Sequence, residues 1–574
     1  MSIAVSACGG CADRRARYGD PGRSAPDDTV GDVQRSGVVP SGAGSSGDLP
    51  LEVGSSTYSD RGGPGARLPI ALAIGGFLTC ATFAAAPDSP FQPVLPAGAE
   101  PGGPLTDLAT TIGLDRLAGS WLIAAGVLAM GLAVAGFLVL LRETWRGAVS
   151  VRTVVVLAVA ANVITVTMLP LLFSRDVYSY AFYGRIVAVY GENPYVHTPV
   201  EFGADELWPL VGPKWVDTPA VYGPAFTTIS GAIARSADAP AGQVDAYRWL
   251  AALASLATLA AIVLTARRLR PDRTSFAAAA FGLNPAVLFL TVGSGHNDML
   301  VALALAAGVL LLVHDRTLAA VAVLAIGALI KATVALPLVL VVVWVVARTP
   351  QPQRARALAS HAGLAIVLGL GLAFRFLQTE DPTLGMLELA GHEGWLAPAG
   401  LVGKVFGWLS FGTLGWLARV TFAAVLLIAF VRLARDVARR SVAREPVEAV
   451  VAAIGWSLVL LMMLGPVLLP WYAAWALPLA WLLPRPARTT LIATGAALAM
   501  VQWTTEPLRF PDAFNVNLAI GHWIVTPTVL VLVIWCVVDL RRRVLTRLPL
   551  HDAREAARAA LADSSDVATG GSEG

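Results

Sequence analysis

Apolar runs long enough to cross a bilayer recur along most of this chain of 574 residues. A hydrocarbon core about 30 Å thick needs about 20 apolar residues in helical form. Inside lipid every backbone N–H and C=O must find a partner, which a helix supplies within its own segment. The runs are continuous rather than alternating, which excludes a transmembrane barrel. Only 14% of the residues are charged, where a soluble fold carries roughly 25%, and mean hydropathy is +0.65. A soluble enzyme on a single anchor is excluded as well. The expected fold class is all-α, a polytopic integral membrane protein. A net charge of +3 gives no ground for a nucleic-acid partner. The 39 Arg against three Lys, with the abundant Ala, hint at a GC-rich bacterial genome.

About fourteen apolar segments can be drawn, beginning near Pro69, Ala118, Thr153, Trp249, Ser275, Met299, Thr317, Ala335, Ala362, Leu414, Ala449, Val467, Leu491 and Trp523. With the N-terminus placed in the cytoplasm, the inner connections hold 22 Lys and Arg and the outer ones 8. That asymmetry predicts both termini inside. It also requires Thr317 to Ala347 to form two short helices turning near Lys331, because one long helix would invert every later loop. About fourteen residues reach only some 21 Å, so this hairpin is expected to turn within the membrane. A lysine there is costly unless it faces protein, water or an anion, so Lys331 reads as functional.

Residues 1–67, rich in Gly, Ser, Asp and Arg, are expected to form a disordered cytoplasmic tail, and no cleaved signal peptide is expected. Residues 68–547 form the membrane domain and 548–574 a second cytoplasmic tail. Cys8 and Cys11 form a lone CxxC without further ligands and read as free thiols, while Cys80 and Cys536 sit in apolar runs.

Chemistry-bearing residues collect on the outer side. The first large outer loop, 174–243, opens Ser174-Arg175-Asp176-Val177-Tyr178-Ser179-Tyr180. Ser174 suits an N-cap and Asp176 a first helical turn. Asp176, Tyr180, Tyr183 and Val187 share one face, and Tyr178, Phe182 and Arg185 a neighbouring one, which predicts an amphipathic helix along the interface. A helix-dipole role explains Asp176 on spacing alone; its location among arginines and tyrosines at head-group depth favours chemistry. Gly293-Ser294-Gly295-His296-Asn297-Asp298 joins two helices at the same side, and sugar or phosphate hydrogen bonding suits it better than a metal. The second outer loop, 378–413, offers Glu380, Asp381, Glu388, His392 and Glu393, with Arg375 and Arg419 beside it. Pro470-Trp471-Tyr472-Ala473-Ala474-Trp475 starts a further segment at this boundary, where aromatic belts are common.

The ordered set SRDVYSYAFYGR (174–185), VYGP (221–224), GHNDM (295–299), IKATVALP (330–337) and PWYAAWALP (470–478) resembles the actinobacterial polyprenol-phosphate-mannose-dependent α-1,6-mannosyltransferases. These are multi-pass glycosyltransferases of the C superfamily, and the resemblance runs from about Pro69 to Arg547. It implies donation of a lipid-linked mannose to a lipid-anchored mannan of lipomannan type, at the extracytoplasmic face of the cytoplasmic membrane. It also implies that Asp176, the acid opening the first large outer loop, is the catalytic base. On that reading Lys331, Arg175 and Arg375 would bind the donor phosphate. Tyr178, Tyr180, Arg185, His296, Asn297, Asp298, His392, Trp471 and Tyr472 would hold sugars, acceptor or prenyl chain, with no metal or cofactor demanded. The partners are then the donor, the acceptor and membrane lipids. Another lipid-linked sugar, arabinofuranose or glucose, is a rival within the same chemistry. A flippase is a rival from another class, though no internal repeat supports it.

Overall fold

The computed structural model describes residues 64–96, 104–237, 239–379, 381, 383–387, 397–400, 402, 415–443, 446–501 and 511–520, with isolated helical positions beyond. The described residues contain helices and turns and no strands. Among the described residues six helical stretches are long and apolar enough to cross a membrane: Arg67–Ala85, Gly119–Trp145, Val151–Met168, Pro240–Leu269, Pro271–Val292 and Gln351–Phe376. Four shorter apolar helices accompany them, Asp298–Val313, Thr317–Ala328, Ala332–Arg348 and Glu448–Leu464. Among the described residues these ten helices stand beside an expectation of about fourteen transmembrane or half-membrane helices.

In chain order the helices that frame the site are α1 (Arg67–Ala85), α2 (Pro104–Thr111), α3 (Gly119–Trp145), α4 (Val151–Met168), α5 (Asp176–Ala188), α6 (Pro224–Ser236) and α7 (Pro240–Leu269). They continue with α8 (Thr274–Gly282), a π-helical stretch at Ala286–Val292, α9 (Asp298–Val313), α10 (Thr317–Ala328), α11 (Ala335–Arg348) and α12 (Arg354–Ala373). The span 271–292 is almost wholly buried and forms the centre of the bundle, whereas α12 lies at its periphery. This central span is broken at Asn284-Pro285, where the Asn284 side chain accepts the Ala286 N–H and so repairs part of the lost ladder.

The hairpin forms as the charge pattern requires. α10 ends at Ala328, Lys331 is extended, a single 3-10 turn covers Ala332–Val334, and α11 starts at Ala335. At 1.5 Å per residue the 12-residue α10 reaches only about 18 Å.

Two expectations need correction. α5 is not an interfacial helix with one wet face: Val177 to Gly184, Ile186 and Val187 are all buried. A helix apolar or aromatic on every side belongs inside protein, and the rings of Tyr222, Phe226 and Tyr247 pack edge-on against Tyr180 of α5. The segment near Val467 does not form a regular crossing either. Pro470 and Pro478 divide it into short turns at Pro470–Tyr472, Ala473–Ala476 and Leu477–Leu482, all packed in the interior.

Candidate active site

Asp176 is the first residue of α5, where its carboxylate meets the positive end of the helix. The cap falls one residue from its expected place: Arg175 occupies the cap position, while the Ser174 hydroxyl accepts the Asp176 backbone N–H at 3.1 Å. The carboxylate is 15% exposed, which leaves it within reach of a substrate. Burial pushes it up to about 6, against the opposing pull of the Ser174 hydroxyl, the Lys331 charge and the Trp215 indole N–H.

The turn 293–298 comes next to it from the central span. Gly295 has φ +67°, a left-handed conformation that glycine adopts without strain. The Leu172 N–H bonds to the Gly293 carbonyl and the His296 N–H to Thr291, which fix the turn against the segment preceding α5. His296 Nδ1 lies 3.1 Å from the Tyr180 hydroxyl and 3.9 Å from Asp176 Oδ2. The second distance is attraction rather than a hydrogen bond. Burial, reinforced by Lys331, holds the imidazole well below its usual value, so it is neutral. Its ring stacks on Trp471 with centroids 3.9 Å apart.

Lys331 enters from the hairpin. Its ammonium donates to Asp298 Oδ1 at 2.8 Å, and the Trp475 indole N–H donates to the same oxygen. The ammonium also lies 4.7 Å from the Tyr472 ring and 5.2 Å from the Trp475 ring, and those two rings stack at 3.9 Å. The hairpin is tied to the outer loop through VYGP. The Gly223 N–H donates to Ile330 and the Ala225 N–H to Leu329, so two donors at the start of α6 are satisfied by the turn that bears Lys331. A side chain at Gly223 would collide with the Leu329 carbonyl.

Several buried polar atoms around this point have no partner among the described residues: His296 Nε2, both side-chain heteroatoms of Asn297, Asp298 Oδ2 and the Ser294 hydroxyl. Buried polar groups are rarely left so, and a dense group of them beside a reachable carboxylate suits a hydroxyl-rich ligand.

The structure gathers Asp176, Tyr180, His296, Asn297, Asp298, Lys331, Trp471 and Tyr472 from the sequence-derived set, and it sends others elsewhere. The Arg175 guanidinium bonds the carbonyls of Pro209, Leu210 and Val211. It thereby pins the loop that carries Trp215 towards Asp176. Arg375 bonds the carbonyl of Val187, eleven residues along α5 from Asp176. That is about 16 Å by helical rise, too far to serve the same phosphate. Arg185 is held by Asp205 at 2.8 Å and Glu206 at 3.6 Å, and locks the loop to the remote end of α5. Tyr178 faces the Arg175, Arg248 and Asp245 side of α5. His392, with Glu380, Glu388 and Glu393, lies outside the described residues. Sequence reasoning passed over Trp215, for which no local signal exists. It also left Trp475 out of the site, although its spacing of four from Trp471 places both indoles on one helical face.

Residues 94–348 match a family model described as Alpha-(1->6)-mannopyranosyltransferase, N-terminal domain. The chain is 27% identical over 376 residues to alpha-(1->6)-mannopyranosyltransferase A of Mycobacterium tuberculosis, covering 62% of this chain and 69% of that relative. It is 34% identical over 131 residues to alpha-(1->6)-mannopyranosyltransferase B of Corynebacterium glutamicum, covering 22% and 21% of the two. No solved structure matches it. The family model spans α5, the 293–298 turn and the Lys331 hairpin, and the chain is a glycosyltransferase similar to the alpha-(1->6)-mannopyranosyltransferases A and B.

Proposed function

We propose that the protein transfers mannose from a polyprenyl-phosphate-mannose donor to the 6-hydroxyl of an α-1,6-mannan acceptor, at the outer face of the cytoplasmic membrane. The observation that carries this reading is the convergence of one carboxylate able to take a proton with one lysine ammonium, beside buried polar atoms awaiting hydroxyls. A β-linked phosphomannose becoming an α-mannoside inverts the anomeric carbon, so a single displacement suffices and one base serves it. The acceptor oxygen forms its bond to the anomeric carbon as the bond from that carbon to the phosphate oxygen breaks. The electron pair leaves with the polyprenyl phosphate, and the hydroxyl proton passes to Asp176.

Lys331 suits the leaving phosphate. Its ammonium has three donors, of which Asp298 takes one, and its side chain is 12% exposed. Asp298 aims it, and a fixed cation beside the developing phosphate charge lowers the barrier. Burial and the Lys331 charge make the His296 imidazole a weaker base than usual; stacked on Trp471, it and Asn297 are the candidates for sugar hydroxyls. The test is to incubate membranes containing the protein with radiolabelled polyprenyl-phosphate mannose and short α-1,6-mannosides. Label is expected in the lengthened mannoside. Label that never leaves the donor pool, although the same membranes bind the donor, would overturn the proposal.

A further inference from the structure

The opposite end of the bundle holds a second cluster that the transfer reaction does not use. α4 separates it from the Asp176 end by 18 residues, about 27 Å of helix. Three elements meet there: the end of α3, the turn Pro271–Arg273, and the start of the helix Arg485–Val501. They are joined by the Ser275 hydroxyl on the Val149 carbonyl and by Arg273 Nη1 on the Trp145 carbonyl.

The centre of the cluster is the Trp145 ring. The Arg273 guanidinium carbon lies 3.7 Å from a ring centroid of Trp145 and the Arg488 carbon 4.1 Å. Both cations are thus held within about 8 Å of one another, and Arg485 is near enough to add to the repulsion on Arg488. The ring quadrupole attracts each cation, but it does nothing about their mutual repulsion. One carboxylate offsets them, that of Asp272, which is 60% exposed and takes the Nε of Arg273 at 3.0 Å. Among the described residues Arg488 and Arg485 have no carboxylate partner. The guanidinium of Arg488 is half-buried, so solvent screens it incompletely.

A guanidinium fork pairs two phosphate oxygens at once, so a cluster of forks short of carboxylate partners suits a phosphate. A tryptophan at the end of a membrane span marks the depth at which lipid head groups lie. Anionic head groups bind basic pockets between spans in this way. We infer that Arg273, Arg488 and Arg485 around Trp145 form a binding site for the phosphate of an anionic glycerophospholipid, in the leaflet opposite the transferase site.

The test uses the purified full-length chain in detergent, by native mass spectrometry with phosphatidylglycerol, phosphatidylcholine or inorganic phosphate as probe. One phosphatidylglycerol adduct is expected to survive activation that strips phosphatidylcholine. Arg273→Gln and Arg488→Gln should each weaken its retention several-fold, and Arg485→Gln, at an exposed position that places little demand on folding, should weaken it to a smaller degree. Arg356→Gln removes an exposed charge at the start of α12 and should leave retention unchanged. Arg488→Lys keeps the charge and loses the fork, so it should fall between wild type and Arg488→Gln. Equal loss in Arg356→Gln and Arg488→Gln would overturn the site in favour of diffuse charge. Displacement of the lipid by millimolar inorganic phosphate would overturn the lipid assignment.

Discussion

Replacing Asp176 by Asn removes the proposed base with little change in shape. Asp176 forms no ion pair shorter than the 3.9 Å approach of a neutral imidazole, and it is not fully buried, so expression and donor binding should persist. Loss of a general base reduces transfer by about 10²–10⁴-fold, equivalent to about 3–5 kcal/mol of barrier. The pH dependence gives a sharper figure. The base works only when deprotonated, and burial holds its carboxyl at about 6. Activity must therefore fall as pH drops through that value and level off above it. Between pH 7.5 and pH 5 the deprotonated fraction, and with it the transfer rate, should fall about tenfold, whereas an ordinary carboxyl near 3.9 would lose less than about a tenth. The assay is initial-rate transfer of labelled mannose to a short α-1,6-mannoside at saturating donor, from pH 4.5 to 8, for wild type and for His296→Asn. The limb should survive in His296→Asn, because burial and the Lys331 charge hold that imidazole well below its usual value. A flat profile in wild type, or an Asp176→Asn variant within threefold of wild-type turnover, would refute the assignment.

Lys331→Met should strand the fully buried Asp298 with the Trp475 indole as its donor and destabilise the protein by about 3–5 kcal/mol; thermal unfolding in detergent should show Lys331→Met/Asp298→Asn recovering most of that loss without recovering transfer. Gly223→Ala should lower transfer at least tenfold with a fall in Tm, since its methyl group meets the Leu329 carbonyl and displaces the Lys331 turn. Arg375→Gln should leave turnover and donor KM within twofold of wild type, as its guanidinium serves the Val187 carbonyl at the far end of α5.

The spans were legible because lipid imposes one rule on length and polarity, and the arginine asymmetry alone required the break at Lys331 that α10 and α11 display. The position of Asp176 at a helix start was legible from the serine two residues before it. The burial of α5 was not. Its tyrosines and serine read as a wet face, and the rings that cover Tyr180, those of Tyr222, Phe226 and Tyr247, come from elements with no periodic relation to α5. The arginines defeated sequence reasoning for a related reason. A guanidinium on a long flexible stem takes whichever carbonyl the tertiary fold offers, as Arg175 does with Pro209, Leu210 and Val211. Trp215 reaches Asp176 only because that loop is pinned, so no local pattern marks it.

The matched N-terminal family region stops at Arg348, yet Trp471, Tyr472 and Trp475 wall the pocket from more than a hundred residues further on. Cutting the protein at that boundary would leave the Asp298 carboxylate bereft of its indole donor and the His296 ring bare on one side. The packed site is thus larger than the matched N-terminal domain, and a fragment that keeps it whole must include the distant aromatic wall.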